Sequence, residues 1–418
     1  MDNPYPINTF LRLVVKVWMS IFSWYYKISA NISPELKEFD EPYLLLSNHY
    51  GRYDPFIISH YIKKRPNFIS SDAILRDKII GTLFKGLGAM PKKKGVRDSH
   101  IIREMVKVVR GGGALSLFPE GTRTWSGETL FIDPSIAKLV KLLKVPVITA
   151  RMKGAYAFDP RWAESIRRSG MEIDFKKSID KDEVANLSED EILEIIREEL
   201  YQDDVEYQRE KKLKIRSNKR AEHIDLALFQ CPDCLSFEGL EDSGNNFSCT
   251  KCSRAYFVDD YGFLSAKGDY ELPFDSIKEW LAWQNDNFVE FVRDQIKENS
   301  SAPLFHADNM DIEYAVGEGR MQSMGTGSVH FYPANLKIIV GDQEEELLVS
   351  EISSLGPQFH ERLELFYKDK AYRFSSKGKR EPGNKWEIAI NVIWADTGLE
   401  SKLAPYFREL VLKPKDIS

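Results

Sequence analysis

Between about residues 40 and 175, short apolar runs alternate with helical stretches, and few folds accept that texture. "YLLLSN" (43–48), "NFISSD" (67–72), "GALSLFPE" (113–120), "VPVITARMKG" (145–154) and "MEIDF" (171–175) predict strands. Between them, 55–64, 76–86, 98–110 and 134–143 predict helices. Alternation of this kind gives an α/β layer fold with a mainly parallel or mixed sheet flanked by helices. Sites in such sheets form at the carboxyl ends of the strands, so the chemistry is sought where these runs stop.

The first run stops at "SNHYGRYDPF", where His49 is followed five positions later by Asp54 and then Pro55. Taken alone the spacing means little, because seven histidines make a chance pairing common. On one helix, five residues turn through about 140°, so the two side chains could not share a face. They can meet across a turn, with His49 at the strand end and Asp54 at the helix start. Asp before Pro is also a standard N-cap with Pro at the first helical position. An Asp that caps a helix can still orient an imidazole.

The third run ends in "FPEGTRT" (118–124), which puts Glu120, Gly121, Thr122 and Arg123 in one turn. Arginine suits bidentate phosphate recognition, and glycine lets backbone N–H groups approach an anion; an ordinary β-turn is the plainer reading. "GLGAMPKKKG" (86–95) is a Gly-rich turn leading into Lys92, Lys93 and Lys94, and "VPVITARMKG" ends at Arg151, Lys153 and Gly154. Each basic cluster alone reads most simply as solvated surface. In this order and at these separations, however, "NHYGRYD", "GAMPKKKG", "FPEGTRT" and "VPVITARMKG" resemble the glycerolipid acyltransferase family typified by 1-acylglycerol-3-phosphate acyltransferases, over about residues 10–200.

That resemblance implies direct acyl transfer from acyl-CoA or acyl-carrier protein to the free hydroxyl of a lyso-glycerolipid. 1-Acylglycerol-3-phosphate, giving phosphatidate, is the first choice of acceptor, and a lyso-phospholipid or another lyso-lipid is the alternative. His49 would take the hydroxyl proton and Asp54 would hold the imidazole. Glu120, Gly121, Thr122 and Arg123, with Lys92, Lys93, Lys94 and Arg151, would bind the substrate. One departure stands out: many relatives carry Arg after the proline of the second block, where this chain has Lys92. Lysine supplies charge but not the guanidinium fork. Two other classes share these residues: a hydrolase, in which His49 activates water on an ester or thioester, and a non-catalytic lipid or partner adaptor.

Outside this region, "NTFLRLVVKVWMSIFSWYYK" (8–27) predicts a helix in which Arg12, Lys16, Ser20, Ser23 and Lys27 form one narrow polar stripe. Such a helix lies in a bilayer interface or packs against protein; the Trp24-Tyr25-Tyr26 cluster favours the membrane surface. The expected location is the cytoplasmic face of a membrane, peripheral or monotopic. A net charge of −6 argues against non-specific nucleic-acid binding, so no nucleic-acid partner is expected.

The four cysteines fall in "CPDC" and "CTKC", giving C-x2-C-x14-C-x2-C. Two such pairs can meet around one structural zinc, with Cys231, Cys234, Cys249 and Cys252 as ligands. Together with "SRAYFVDDYGF" they resemble a zinc ribbon, although Leu235 and Ser253 replace the glycine often found after each pair. From about residue 300 the texture is β, closed by a helical 384–398, and resembles pleckstrin-homology or GRAM-type modules. The 418 residues thus divide into a membrane-interface helix (1–30), an acyltransferase domain (31–205), a charged linker (206–225), a zinc ribbon (226–266), a connecting helix (267–300) and a β-rich domain (301–418).

Overall fold

The computed structural model describes residues 3–71, 75, 80–92, 99–298, 301–317, 319–358, 362–378 and 380–412. It divides into two compact units, Met1–Asn218 with Asp260–Gly262, and Lys219–Asp259 with Phe263–Ser418. In the first unit the chain forms helix α1 (Thr9–Tyr26), strands β1 (Ile28–Ile32) and β2 (Leu44–Ser47), and helix α2 (Asp54–Tyr61). Strands β3 (Asn67–Ser71), β4 (Met90–Lys92), β5 (Leu115–Leu117), β6 (Val147–Lys153) and β7 (Met171–Ile179) follow. They make a mixed sheet of order β1-β7-β6-β2-β5-β3-β4, in which only the β6–β7 pair is antiparallel.

The leucine run of β2 explains why this sheet is covered on both faces. Alternate side chains of a strand point to opposite sides. Leu44 and Leu46 pack with Leu115, Val147 and the helices Ser99–Arg110, Ser135–Leu143 and Glu189–Leu200. Leu45 packs on the other side with Ile148, Ala150 and Met152, under Met19 and Phe22 of α1 and Ile57 and Ile58 of α2. A strand buried on both faces needs an unbroken apolar run, and β2 has one. The parallel trio β6-β2-β5 sends its three carboxyl ends to one edge of the sheet.

All five expected strands form, although β5 is shorter than its run and β7 longer. β1 and β4 were not expected; "ISANI" alternates apolar and polar residues but is five residues long, and "MPK" is three. The expected helix 76–86 is described only from Ile80, apart from Leu75. The charged tract 206–225 is not simply a linker. It begins inside a helix, Asp204–Lys211, whose Asp203 carboxylate accepts from the Val205 and Glu206 N–H groups at 2.9 and 3.1 Å.

In the second unit, β8 (Leu240–Ser243), β9 (Asn246–Cys249), β10 (Ala255–Val258) and β11 (Leu264–Ala266) form an antiparallel sheet that carries the cysteine pairs. Seven further strands, β12 (Phe305–Val316), β13 (Gln322–Phe331), β14 (Asn335–Val340), β15 (Gln343–Leu348), β16 (Ile352–Pro357), β17 (Leu363–Tyr367) and β18 (Lys370–Ser376), pair antiparallel in the order β15-β14-β13-β12-β18-β17-β16. The helix Gly383–Asp396 sinks Trp386, Ile390 and Trp394 into their core. Phe288 and Val292 of the helix Ile277–Lys297 join the same core, so that helix is part of the β-rich body as well as a connection to it.

Candidate active site and cysteine cluster

His49 lies two residues beyond β2, and Asp54 is the first residue of α2. Between them the turn brings His49 Nδ1 to 2.8 Å from Asp54 Oδ2. The same oxygen accepts from the Tyr50 and Gly51 N–H groups at 2.8 and 2.9 Å. The expected capping role is therefore displaced. Tyr53 holds the N-cap position without a side-chain bond, and Asp54 turns back toward the preceding turn. That turn exposes two N–H donors and an imidazole, which together outcompete the helix end for the carboxylate. The charge still sits at the positive end of α2.

The imidazole is fixed on its other sides as well. The Asn48 side chain exchanges two hydrogen bonds with the Met152 backbone, at 2.9 and 2.8 Å, tying the end of β2 to β6. The Phe118 ring stacks on His49 at 4.0 Å. Burial holds the His49 pKa below its ordinary value; the Asp54 contact opposes this, and the charges of Arg123 and Arg161 push the same way as burial. The imidazole is thus neutral at neutral pH, with Nδ1–H donating to Asp54 and the Nε2 lone pair open.

The 118–124 loop grips the His49 backbone from both sides. Glu120 Oε1 accepts the His49 N–H at 2.7 Å, and Thr124 N–H donates to the His49 carbonyl at 3.2 Å. Glu120 Oε2 accepts the Leu130 N–H at 2.6 Å. Glu120 is only 3% exposed, and burial pushes its carboxyl up to about 8 against the pull of the two amides. Glu120 thus ties the His49 backbone to Leu130, one N–H on each of its oxygens. Gly121 takes φ +75°, a left-handed conformation that a side chain rarely adopts, and lets the loop turn back. Thr122 Oγ1 accepts from Arg161 at 3.1 Å, and the Arg123 carbonyl accepts from the same nitrogen at 2.8 Å.

The remaining candidates are scattered. Arg151 stands on β6 opposite Asp174 of β7; burial pushes that carboxyl up, and the Lys153 and Asn31 contacts, with the Arg151 charge last, outweigh it and hold it below its usual range. No contact among the described residues joins Arg151 to His49 or Asp54. Lys92 ends β4, and Lys93 and Lys94 lie outside the described residues. Three buried residues near the turn come from outside every motif: Asp159, Arg161 and Asp204. Asp204 accepts the Gly154 and Tyr156 N–H groups at 2.9 and 2.8 Å, and burial lifts it to about 7. As isolated charged residues with no periodic or spaced partner, they gave no signal in the sequence.

In the second unit, the Sγ atoms of Cys231, Cys234, Cys249 and Cys252 lie within 4.8 Å of one another, with the 231–252 and 234–249 pairs at 3.7 Å. Four thiolates around a tetrahedral zinc stand about 3.8 Å apart, so the donor set fits that ion. Each pair sits on the same tight knuckle. Leu235 N–H donates to the Cys231 carbonyl at 3.0 Å, and Ser253 N–H to that of Cys249 at 2.8 Å. Leu235 and Ser253 adopt φ of 60° and 63°, the conformation for which glycine is usual.

Residues 27–153 match the Acyltransferase family model. The chain is 26% identical over 171 residues to the chloroplastic 1-acyl-sn-glycerol-3-phosphate acyltransferase of Arabidopsis thaliana, covering 40% of this chain and 48% of that protein. To the chloroplastic 1-acyl-sn-glycerol-3-phosphate acyltransferase of Brassica napus it is 25% identical over 164 residues, covering 38% and 47%. The chain therefore spans about half the length of the curated relatives it matches. Among solved structures, the 1-acyl-sn-glycerophosphate acyltransferase of Thermotoga maritima aligns over 48% of this chain and 79% of its own, at 18% identity and a TM-score of 0.41.

Proposed function

We propose that this chain is an O-acyltransferase that moves a fatty acyl group from acyl-CoA or acyl-carrier protein to the hydroxyl of a lyso-glycerolipid, with 1-acylglycerol-3-phosphate as first acceptor and phosphatidate as product. The observation that carries this is the His49–Asp54 contact at 2.8 Å at the carboxyl end of β2, inside the segment that matches the Acyltransferase family. His49 Nε2 takes the acceptor's hydroxyl proton as that oxygen attacks the thioester carbonyl carbon. The tetrahedral adduct collapses with cleavage of the C–S bond, and the imidazolium returns the proton to the departing thiolate. Asp54 fixes the tautomer of the neutral imidazole and stabilises the imidazolium that forms. The thioester is already activated, so no acyl-enzyme is required.

Glu120, Gly121, Thr122, Arg123, Lys92, Lys93 and Lys94 are the proposed binding groups for the acceptor's glycerol and phosphate, together with Arg151. The four cysteines are proposed to hold one structural zinc; a closed set of thiolates leaves no position for catalysis. The C-terminal strand order, with the helix Gly383–Asp396 packed into its core, supports a pleckstrin-homology-type arrangement.

Membrane-surface placement on the cytoplasmic side completes the proposal, and α1 supplies the support for it. Phe10, Leu13, Val14, Val17, Trp18, Ile21, Trp24 and Tyr25 are all exposed, and their spacing puts them on one face. Val15, Met19 and Phe22 face the core, and Arg12, Lys16, Ser20 and Lys27 line the border between the two faces. No helix among the described residues is long and apolar enough to cross a membrane. Labelled acyl-CoA incubated with and without lysophosphatidate tests the reaction: acylated lipid supports it, and free fatty acid without acylated lipid indicates a hydrolase.

A further inference from the structure

The turn that carries His49 and the loop that grips its backbone leave different strands, β2 and β5, and a third segment touches both. That segment, Asp159-Pro160-Arg161, follows β6 and the short helix Ala155–Phe158. Asp159 is 1% exposed and reaches the first turn. Its Oδ2 accepts the Arg52 N–H at 2.9 Å, and its Oδ1 accepts from Arg52 Nη2 at 2.7 Å. The fit is close, since a Cβ on Gly51 would stand 2.5 Å from Asp159 Oδ2. Arg161 is 5% exposed and reaches the loop. Its Nη1 donates to Thr122 Oγ1 and to the Arg123 carbonyl, and its guanidinium lies over the Trp125 ring at 4.2 Å.

We infer that Asp159 and Arg161 are positioning residues that set the His49–Asp54 turn against the 118–124 loop. Pro160 between them limits the backbone freedom through which the two contacts could drift apart. The inference rests on the acyl-transfer reading and adds residues that belong to none of its four motifs. Two features of Arg161 exceed what a simple staple needs. Its Nε is buried without a hydrogen-bond partner, an unfavourable arrangement that a neutral side chain would avoid. Its charge also acts on His49 in the same sense as that of Arg123, against Asp54, with the Glu120 carboxyl on the backbone side. Arg161 therefore holds the loop through its hydrogen bonds, and its charge adds, after burial and Arg123, to what lowers the His49 pKa.

The test compares wild type, R161K, R161M and T122V as full chains, in acyl transfer to lysophosphatidate across the pH range that titrates an imidazole. R161M loses both functions: kcat/KM falls on the order of a hundredfold, and the acid limb of the pH profile moves to higher pH. R161K keeps the charge and loses the fork, so the limb stays while KM for the acceptor rises about tenfold. T122V removes one hydrogen bond without disturbing the buried cation, and raises that KM by a smaller factor with the limb unmoved. A folded R161M whose limb matches wild type, or an R161K with wild-type KM, overturns the inference. Where R161M does not fold, R161K decides it. Failure of the parent reading is distinct, because it appears in the wild type as absence of acylated lipid.

Discussion

His49 is held at its backbone N–H, its carbonyl, its ring face and its Nδ1, which leaves Nε2 as the reactive edge. His49→Ala should lower kcat by roughly 10²–10⁴-fold while the protein remains folded by circular dichroism; a variant with wild-type turnover would show that His49 is not the base. Because burial depresses this imidazole, the acid limb of kcat/KM should lie below the ordinary histidine value of 6.5. Glu120 predicts a different pH effect. Its carboxyl ionises near 4.5 when unfolded and near 8 when folded, so the folded state holds the proton longer. Its contribution to stability is complete below the first value and is lost as pH rises toward the second. Glu120→Gln cannot ionise, and the fall in Tm across that window should be shallower than in wild type; equal slopes would contradict the assignment. Asp204, lifted to about 7, leaves a residual slope of the same sign. The meeting of His49 and Asp54 across a turn was legible because both sit in a short motif with fixed spacing. Asp159 and Arg161 were not, because their roles come from the parallel alignment of β2, β5 and β6, which no local pattern records.

Helix α1 shows how an element can be read correctly and its faces incompletely. The polar stripe was visible in the sequence, yet only the fold separates the apolar residues that pack on α2 from those left outside. If that outer face enters a bilayer interface, Ile21→Glu with Trp24→Glu should weaken partition to anionic vesicles by at least about tenfold, with circular dichroism unchanged. Unaltered vesicle binding would rule out this face. The cysteine knuckles were legible to the residue, since two C-x2-C pairs constrain geometry more tightly than any helix pattern. Metal analysis should return about one zinc per chain, lost when Cys231 and Cys249 are both replaced by serine; a metal-free, folded wild type would contradict the site. The strands β1 and β4 escaped the reading because each holds too few large apolar residues to stand above chance, unlike the equally short but leucine-rich β2.

At the scale of the whole molecule, the α/β unit and the unit with the cysteines and β-rich body each have their own hydrophobic cores. The family match and the candidate active site lie in the first unit. The order of strands and helices there was largely legible, because a buried parallel sheet demands continuous apolar runs. The sheet order was not, since pairing joins segments far apart in sequence, as in β1 with β7. In the second unit the β texture was plain, while the seven-stranded order and the part played by the helix Ile277–Lys297 in its core emerged only on folding. The His49–Asp54 pair lies in the first unit, and one assay on the full chain tests its role most directly. Purified wild type and His49→Ala are supplied with labelled acyl-CoA, with acyl-carrier-protein thioester in parallel, and with lysophosphatidate. Labelled phosphatidate formed by wild type and nearly absent with His49→Ala is the expected result. Free fatty acid without acylated lipid, or equal product from both proteins, would contradict it.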